Sequence, residues 1–188
     1  MVLPLEMIMP ISRIPVKELE FTAVFDASPW GGGAVLQRDK IPIRFMKITW
    51  NEVWAARLQC KIGRPEGQTT WEYVMLLLTL LKWGTETRQG GMALIGDNTA
   101  SLSAAANLKG RGVLTAISRE LSWRKVRHQW KFAVGHLPTE WNKVADALSR
   151  LAAPAGSESK TFPPELEGVT EETPPTFVET FALDQLEA

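Results

Sequence analysis

Two aspartates follow apolar stretches of the chain, at the points where the predicted strands end. Asp26 comes at the end of the run "FTAVFD" and Asp97 at the end of "MALIGD". A short, wholly apolar run such as the second is typical of a buried parallel strand. If the two strands pair in parallel, both carboxylates lie at one edge of the sheet, which is the edge where open α/β sheets bind ligands. The sequence therefore predicts a ligand site that contains both aspartates.

Two further acids lie on predicted helices. Glu72 belongs to the leucine-rich segment "TTWEYVMLLLTLLKW", a helix for which Thr69 or Thr70 is the expected N-cap. A carboxylate in the first turn of such a mostly buried helix is either stabilised by the helix dipole near solvent or faces a metal ion. Asp146 shares a polar flank of the last helix with Asn142, and taken alone it is an ordinary surface acid.

Four carboxylates on four elements favour Mg²⁺ or Mn²⁺ over zinc. Such a set suits phosphodiester hydrolysis, in which two cations about 4 Å apart hold the attacking water and the leaving oxygen. The chain has a single cysteine, Cys60, so a disulfide framework and a cysteine-based zinc site are excluded. We therefore predict two Mg²⁺ ions as cofactors, with Mn²⁺ as an alternative.

The elements that must position these acids follow from periodicity and from turn residues. Three runs, "FTAVFDA", "GAVLQ" and "IPIRFMKIT", predict an antiparallel meander, with Gly31 to Gly33 and Arg38 to Lys40 as its connections. After an irregular stretch to about Gln68 come a helix, the strand "MALIGDN", two helices, the strand "WKFAVGHL" and a last helix in "EWNKVADALSRL". The predicted class is α/β, with a five-stranded mixed sheet flanked by helices.

Composition divides the chain into three segments. Residues 1–20 are interpreted as an N-terminal arm or the remnant of an upstream domain, residues 21–151 as one folded domain, and residues 152–188 as an acidic, proline-rich, disordered tail. From Leu151 onward there are eight acids and one base, whereas the preceding part has 20 bases and 13 acids. A basic body predicts a polyanionic partner, and the alternative is scattered surface charge with a passive tail. The run "FVETFALDQL" in the tail could form a short helical docking segment.

Membrane insertion and secretion are not predicted. The longest apolar run, "VMLLLTLL", is too short to span a bilayer, and no signal-peptide cleavage pattern follows the first residues. With its single cysteine the chain is expected in a reducing compartment, cytoplasmic or nuclear, without a membrane partner. The run "GGGAVL" lacks the third glycine of a dinucleotide-binding motif.

The segment "SRELSWRKVRHQWK" interleaves basic and aromatic side chains. Arg124, Lys125 and Arg127 alternate here with Trp123 and Trp130. This composition suits a surface that holds a phosphate backbone and stacks on sugars or bases, so the three bases are candidate substrate-binding residues. The alternative is an amphipathic helix whose tryptophans pack in the core.

The motifs around the four acids resemble those of the ribonuclease H domain of retroelement reverse transcriptases. "FDASPWGGGAVL" is similar to that family's first-aspartate motif and "GHLPTEWNKVADALSR" to its closing motif. "TTWEYVMLLLTLLKW" and "LIGDNTAS" are similar to the segments that carry the family's glutamate and second aspartate. The tryptophan-rich form resembles the DIRS-like branch. The resemblance covers Phe21 to Arg150 and implies a ribonuclease H-like fold.

The resemblance also implies roles for the acids and for one histidine. Asp26 would bridge two Mg²⁺ ions, with Glu72 and Asp97 mainly on one ion and Asp146 on the other. His136 matches the family's loop histidine, which assists proton transfer or product departure. The alternative is a hydrogen-bonded loop histidine without a catalytic role.

Three polar residues are implied in substrate binding. Asn142 matches a position near the substrate backbone, and Asn98 directly follows the second aspartate. Ser28 lies where the family often has a small polar residue, although it could instead cap the turn. The link before Glu72, "WNEVWAARLQCKIGRPEGQ", is longer and richer in tryptophan than in cellular ribonucleases H, so no substrate contacts are inferred for it.

The predicted function is an endonuclease that hydrolyses the RNA strand of RNA/DNA hybrids with two metal ions. No Tyr/Phe-x-Asp-Asp polymerase motif is found, so the chain is interpreted as part of a retroelement polyprotein, with a reverse transcriptase domain as a candidate partner, or as a detached copy. Three alternatives stay open. They are a catalytically silent nucleic-acid-binding module, a nuclease of the same fold superfamily that acts on DNA, and a structural interaction protein that uses its acidic tail.

Overall fold

The computed structural model of the chain describes residues 8–11 and 19–186. The predicted N-terminal arm, residues 1–20, lies for the most part outside these described residues. Among the residues that are described, no helix is long and apolar enough to cross a membrane.

A single mixed sheet forms the centre of the described chain. Its strands are β1 Met9–Pro10, β2 Phe21–Ala27, β3 Gly31–Arg38, β4 Ile41–Thr49, β5 Met92–Gly96, β6 Phe132–His136 and β7 Thr170–Glu171. They lie in the order β1-β6-β5-β2-β3-β4-β7. The strands β2, β3 and β4 form the predicted antiparallel meander, whereas β5 pairs in parallel with both β2 and β6. The predicted mixed α/β sheet is therefore confirmed.

The predicted number of five strands is wrong, because the sheet has seven within the described residues. The additional strands, β1 and β7, lie at the two edges, where β1 pairs antiparallel with β6 and β7 pairs in parallel with β4. Each of them has two residues. A strand this short shows no alternation of apolar and polar residues, so the sequence holds no local signal for it.

Helices flank this sheet. In the described part of the chain they are α1 Glu52–Leu58, α2 Gln68–Trp83, α3 Thr99–Asn107, α4 Leu114–Arg127, α5 Lys143–Ser149, α6 Phe177–Thr180 and α7 Ala182–Leu186. The helix α1 lies in the stretch that was predicted to be irregular. Its N-cap, Asn51, accepts hydrogen bonds from the backbone N–H groups of Val53 and Trp54. An Asn before an apolar segment was the signal that could have revealed this helix.

The helix α2 begins one residue before the predicted cap. Gln68 is its first residue, so Thr69 and Thr70 lie inside the helix, and Gly67 precedes it without a side-chain cap. Glu72 consequently lies beyond the first turn, which contains no acid. The reading of Glu72 as an N-terminal acid stabilised near solvent is therefore wrong.

The sheet is covered on both faces. Along β2, Phe25 packs in one core cluster with the leucines of α2, whereas Val24 packs in a second cluster with Ala145 of α5. Alternate side chains of a strand point to opposite faces, so α2 and α5 lie on opposite sides of the sheet. Leu102 of α3 and Leu121 of α4 belong to the same core cluster as α2.

The glycine run 31–33 lies within β3, so its predicted role as the connection after the first strand is wrong. A Cβ atom at Gly33 would collide with Leu148 of α5. On the other face, a Cβ atom at Gly32 would collide with the side chain of Met75 of α2. The glycines therefore allow helices on both faces to approach the strand closely.

The acidic tail packs against the rest of the molecule, which contradicts the prediction that residues 152–188 are disordered. It contains a 3₁₀ helix at Pro164–Leu166, followed by β7, α6 and α7. The carboxylate of Asp184 pairs with Arg57 at 2.7 Å, and Trp83 donates a hydrogen bond from Nε1 to Glu172 at 2.6 Å. Composition indicated disorder because the bases that compensate these acids are distant in the sequence.

The helices α6 and α7 correspond to the predicted docking segment. Phe181 between them is 1% exposed, and its ring lies against those of Trp54 and Phe177, with centroids 6.1 and 5.3 Å away. The guanidinium of Arg57 lies 4.9 Å from the centre of the same ring. This aromatic cluster anchors the tail to α1.

We expect Phe181→Ala to lower the free energy of unfolding by about 3–5 kcal/mol, since it removes a fully buried aromatic side chain. Val178 in the same segment is 58% exposed and serves as the matched control. Val178→Ala should change the free energy of unfolding by less than about 0.5 kcal/mol. Urea denaturation followed by tryptophan fluorescence measures both. Equally small effects of the two variants would show that the tail does not dock.

Candidate active site

Three of the four predicted acids converge at one edge of the sheet. Asp26 lies near the end of β2, Asp97 follows β5, and Glu72 projects from α2, with candidate ligand oxygens that all lie within 4.8 Å of one another. The parallel pairing of β2 with β5 brings the two aspartates together, as the sequence predicted. Within the described residues, these carboxylates form an acidic cluster that could hold a divalent cation.

Asp26 is almost fully buried, with 3% of its surface exposed. Its Oδ2 atom accepts a hydrogen bond of 2.5 Å from the hydroxyl of Ser149, the last residue of α5. Burial raises the pKa of Asp26 well above its ordinary value, and the nearby charge of Asp97 raises it further. The Asp26 carboxylate is therefore costly to ionise unless a cation compensates its charge.

Glu72 is also buried, with 1% of its surface exposed. Gln68, one turn earlier on α2, donates a hydrogen bond of 3.0 Å to Oε1, whereas Oε2 has no partner among the described residues. Burial raises the pKa of Glu72 well above its ordinary value, and the charges of Asp26 and Asp97 raise it further. A buried carboxylate oxygen that makes no hydrogen bond within the protein could accept a cation or carry a proton.

The chemistry of the cluster fits a hard divalent cation. All of its candidate donors are carboxylate oxygens, which Mg²⁺ and Mn²⁺ prefer. The unpartnered Oε2 of Glu72 is available as a ligand atom. A cation in this place would compensate the three converging charges, whose mutual repulsion raises the pKa values of Asp26 and Glu72.

Asp146 lies near this cluster but is not part of it. Its negative charge contributes to the raised pKa of Asp26, although less than burial and Asp97 do. The Oδ1 atom of Asp146 pairs with Nε of Arg150 at 2.5 Å, and Arg150 in turn pairs with Glu158 of the tail. The guanidinium therefore neutralises part of the charge that Asp146 could offer to a cation. The motif "DALSR" contains this i,i+4 pair, so the sequence held a signal for it.

His136, the last residue of β6, and Thr139, in the 3₁₀ turn that follows, both contact Asp97. The Nε2 atom of His136 lies 3.2 Å from the backbone carbonyl of Asp97, and its Nδ1 is buried without a partner among the described residues. Thr139 donates a hydrogen bond of 2.8 Å to Oδ2 of Asp97. His136 thus makes the bond expected of a loop histidine and also lies next to the cluster. The contact of Thr139 was not predicted, because nothing in its local sequence pairs it with Asp97.

Two predicted substrate-binding residues are buried. Asn142 is 1% exposed and donates a hydrogen bond of 3.1 Å to the backbone carbonyl of Phe25. Ser28 has no exposed surface, and its hydroxyl accepts hydrogen bonds from the backbone N–H groups of Trp30 and Gly31. Neither side chain is accessible to a substrate, so both predictions are corrected. Ser28 caps the turn, as the alternative interpretation held.

Asn98 is a helix cap. Its Oδ1 accepts a hydrogen bond of 2.9 Å from the backbone of Ser101, and its Nδ2 lies 3.4 Å from Thr69 Oγ1. The side chain thus links the start of α3 to the start of α2. It is half-buried next to Asp97, which leaves its predicted role in substrate binding open to test.

The basic segment of α4 is only partly available to a polyanion. Arg124 is buried and pairs with Glu120 at 3.2 Å, so its predicted role as a substrate contact is corrected. Trp130 is 5% exposed and packs in the core, as the alternative interpretation held. Lys125 lies over the ring of Phe132 at 5.0 Å. Within this segment, the pairing of Arg124 with an acid on its own helix was visible in the sequence at i,i+4 spacing.

Basic side chains remain exposed around the groove between α3 and α4, beside one half-buried tryptophan. Arg127 is exposed and stacks at 5.2 Å on Trp123, which lines a groove of about 1190 Å³ between α3 and α4. Lys109 and Arg111, between these helices, line the same groove and are exposed. Sequence reasoning missed these two bases because they lie in the short "LKGRG" connection and not in the basic helix.

Comparison with known proteins places this arrangement of sheet and helices in a fold class. No family model matches the chain. Crystal structures of LC11-RNase H1, one in complex with an RNA/DNA hybrid and one of the enzyme isolated from compost by a metagenomic approach, have TM-scores of 0.53 and sequence identities of 16% and 17%. The alignments cover 68% and 71% of this chain and 92% and 94% of the LC11 chains. The chain therefore has a ribonuclease H-like fold, as its motifs predicted.

The chain is also similar in sequence to one retroelement protein. It is 27% identical over 146 residues to the retrovirus-related Pol polyprotein from transposon 297 of Drosophila melanogaster. The matched part is 76% of this chain and 12% of the polyprotein, so the chain spans about an eighth of that relative's length.

Proposed function

We propose that this chain is a ribonuclease H-type endonuclease that hydrolyses the RNA strand of RNA/DNA hybrids with two divalent metal ions. The observation that carries the proposal is the convergence of Asp26, Glu72 and Asp97 at one edge of a ribonuclease H-like sheet. The similarity to a Pol polyprotein supports a retroelement origin, as part of a polyprotein with a reverse transcriptase domain or as a detached copy. Assignment to the DIRS-like branch rests on the tryptophan-rich motifs alone.

In this proposal Asp26, Glu72 and Asp97 would hold the cations, and Asp146 would join them if its ion pair with Arg150 were broken. When bound, the two Mg²⁺ ions supply an activated water and stabilise the leaving oxygen, which becomes a 3′-hydroxyl. Asp26 and Glu72 are almost fully buried, so their charges are screened little by water and would act strongly on a bound cation.

The residues around Asp97 orient the site. Thr139 fixes one carboxylate oxygen of Asp97 through its hydroxyl, and His136 contacts the backbone carbonyl of the same residue. We propose that His136, held beside Asp97 by this contact, assists departure of the product.

The proposed partner is the sugar-phosphate backbone of an RNA/DNA hybrid. Lys109, Arg111 and Arg127 are exposed, and Trp123 offers a ring surface beside them. Such contacts neutralise phosphates and stack on sugars without reading base edges, so we expect weak sequence specificity. One LC11 structure is described as a complex with an RNA/DNA hybrid, which supports this class of substrate.

The test is cleavage of an end-labelled RNA/DNA hybrid by the purified chain in Mg²⁺, in Mn²⁺ and in EDTA. We expect cuts in the RNA strand that require metal, with duplex DNA and single strands of the same sequence left intact. Cleavage of duplex DNA at a comparable rate would instead assign the chain to the DNA-cleaving nucleases of the same fold superfamily.

A second candidate function is a catalytically silent module that binds nucleic acid. The ion pair between Arg150 and Asp146 favours it, because a neutralised Asp146 offers less charge to a second cation. A folded chain that binds the hybrid in a gel-shift assay but cuts none of the substrates in Mg²⁺ or Mn²⁺ would establish this alternative.

A further inference from the structure

Ser149 contacts the acidic cluster from the end of α5. Its hydroxyl lies 2.5 Å from Oδ2 of Asp26 and 2.9 Å from the backbone carbonyl of Asp146, one turn earlier on α5. A serine hydroxyl has one proton, so it can donate to only one of these oxygens at a time. The shorter bond, to a carboxylate, is the stronger one when Asp26 is charged.

The backbone of Ser149 is held in place independently of its hydroxyl. Ser28 donates a hydrogen bond of 2.7 Å to the backbone carbonyl of Ser149, and Ser28 itself is fixed in the turn after β2. Both serines have no exposed surface. The end of α5 is therefore anchored to the turn by Ser28, and the Ser149 hydroxyl is directed at the central carboxylate without being needed for that anchor.

We propose that Ser149 is a positioning residue, whose hydroxyl fixes the orientation of the Asp26 carboxylate and thereby sets the affinity of the acidic cluster for divalent cations. The inference rests on the proposed function, since it concerns the same site. A hydrogen bond that engages Oδ2 of Asp26 restricts rotation of the carboxylate group and stabilises its negative charge. Both effects favour binding of a cation by Asp26 together with Glu72 and Asp97.

The experiment compares Mn²⁺ binding to the wild-type chain and to Ser149→Ala, by titration calorimetry without nucleic acid. Alanine is smaller than serine and is a better helix former, so α5 should keep its backbone. We expect the affinity for Mn²⁺ to fall about tenfold or more, as is common when a hydrogen-bond partner of a metal ligand is removed. In the cleavage assay, the Mn²⁺ concentration that gives half-maximal rate should rise by the same factor, with KM for the hybrid unchanged.

Two further variants separate positioning from a purely structural role. Ser118 on α4 is 5% exposed and hydrogen-bonds to the hydroxyl of Tyr73, so Ser118→Ala removes a buried serine bond that involves no carboxylate. It should lower the melting temperature while leaving the affinity for Mn²⁺ unchanged. Ser149→Thr retains a hydroxyl and should bind Mn²⁺ more tightly than Ser149→Ala.

Each outcome decides the inference. Unchanged affinity of Ser149→Ala, equal losses in Ser149→Ala and Ser118→Ala, or a threonine variant no better than the alanine variant would each overturn it. A wild-type chain that binds no Mn²⁺ and cuts no hybrid would overturn the proposed function and this inference together. A wild-type chain that binds and cuts, with Ser149→Ala identical to it, would overturn the inference alone.

Discussion

Asp26→Asn is expected to abolish metal-dependent cleavage of the RNA strand of a hybrid. Asp26 is a buried acid of the cluster, and asparagine keeps its size while removing the negative charge that a cation needs. Metal ions stabilise the transition state of phosphodiester hydrolysis by several kcal/mol, so loss of the site should lower kcat/KM by about 10³-fold or more. Single-turnover cleavage with saturating enzyme measures the chemical step directly.

Binding of the hybrid separates loss of chemistry from loss of structure. Asp26→Asn should bind the hybrid as well as the wild type or better, because it removes a negative charge near the phosphate. Asp39→Asn is the matched control, since Asp39 is an exposed aspartate in the turn between β3 and β4 and asparagine tolerates its left-handed backbone, with φ of 51°. It should cleave at the wild-type rate. Cleavage by Asp26→Asn within about tenfold of the wild type would contradict a metal site at Asp26.

The second large effect is on the free energy of unfolding. A rise in pH should lower the stability of the metal-free chain, whereas a divalent cation should raise it. In the folded chain burial and mutual repulsion raise the pKa values of Asp26 and Glu72 well above their ordinary values of 3.8 and 4.5. A carboxyl group whose pKa is raised by folding stabilises the folded state at pH values below its unfolded pKa, and this contribution is lost as pH rises through the raised pKa. The metal-free chain should therefore become less stable from about pH 4 upward. For each of the two groups, the loss is about 1.4 kcal/mol per pH unit between its unfolded pKa and its folded pKa.

Glu72→Gln removes one of these titrations. Glutamine is neutral at every pH, so the metal-free variant should be more stable than the wild type at pH 7 and should lose less stability between pH 5 and pH 8. Glu66→Gln is the control, because Glu66 is exposed just before α2. That variant should follow the wild-type curve. Thermal unfolding in EDTA across this pH range measures all three proteins.

Metal should reverse the effect of pH in the wild type. A ligand that binds only the folded state at 100 times its Kd adds about 2.7 kcal/mol. For a chain of this size, that corresponds to a rise of about 5–10 °C in melting temperature. Mn²⁺ should thus stabilise the wild type at pH 7 and have little effect on Glu72→Gln. A wild type that is equally stable at pH 5 and pH 8 in EDTA, and indifferent to Mn²⁺, would argue against a buried carboxylate cluster.

Local patterns in the sequence were sufficient for the main strands, for α2 and for three of the four acids. A strand that is buried on both faces consists of a run of apolar residues, and Asp26 and Asp97 lie at the ends of two such runs. The parallel pairing of these two strands brings the two aspartates close together. Glu72 was predicted from the apolar surroundings that make its charge costly. These signals are visible in the sequence because buried positions recur every two residues in a strand and every three to four in a helix, roughly as the backbone geometry dictates.

The sequence alone did not reveal which polar groups meet across the fold. Asn142 and Ser28 were predicted to be accessible residues of a substrate site, yet both are buried and form hydrogen bonds to other elements. Ser149 and Thr139 contact the acidic cluster, although the sequence did not predict these contacts. Each of these hydrogen bonds joins residues far apart in the chain. The sequence shows which side chains can donate a hydrogen bond, but it does not show which distant group accepts it.

The tail shows the same division between local and tertiary information. The run "FVETFALDQL" correctly indicated a short helical docking segment, because α6 and α7 are local structures and α6 begins with a capping box. Its acids read as solvated charge, since the bases that pair with them, among them Arg57 and Arg44, lie more than a hundred residues earlier. The sequence by itself determined the main strands and helices and the acids that could hold a cation. Only the tertiary structure decided which charges are paired, which are buried and which remain free for a cation, because burial and pairing energies depend on neighbours that the chain brings together only on folding.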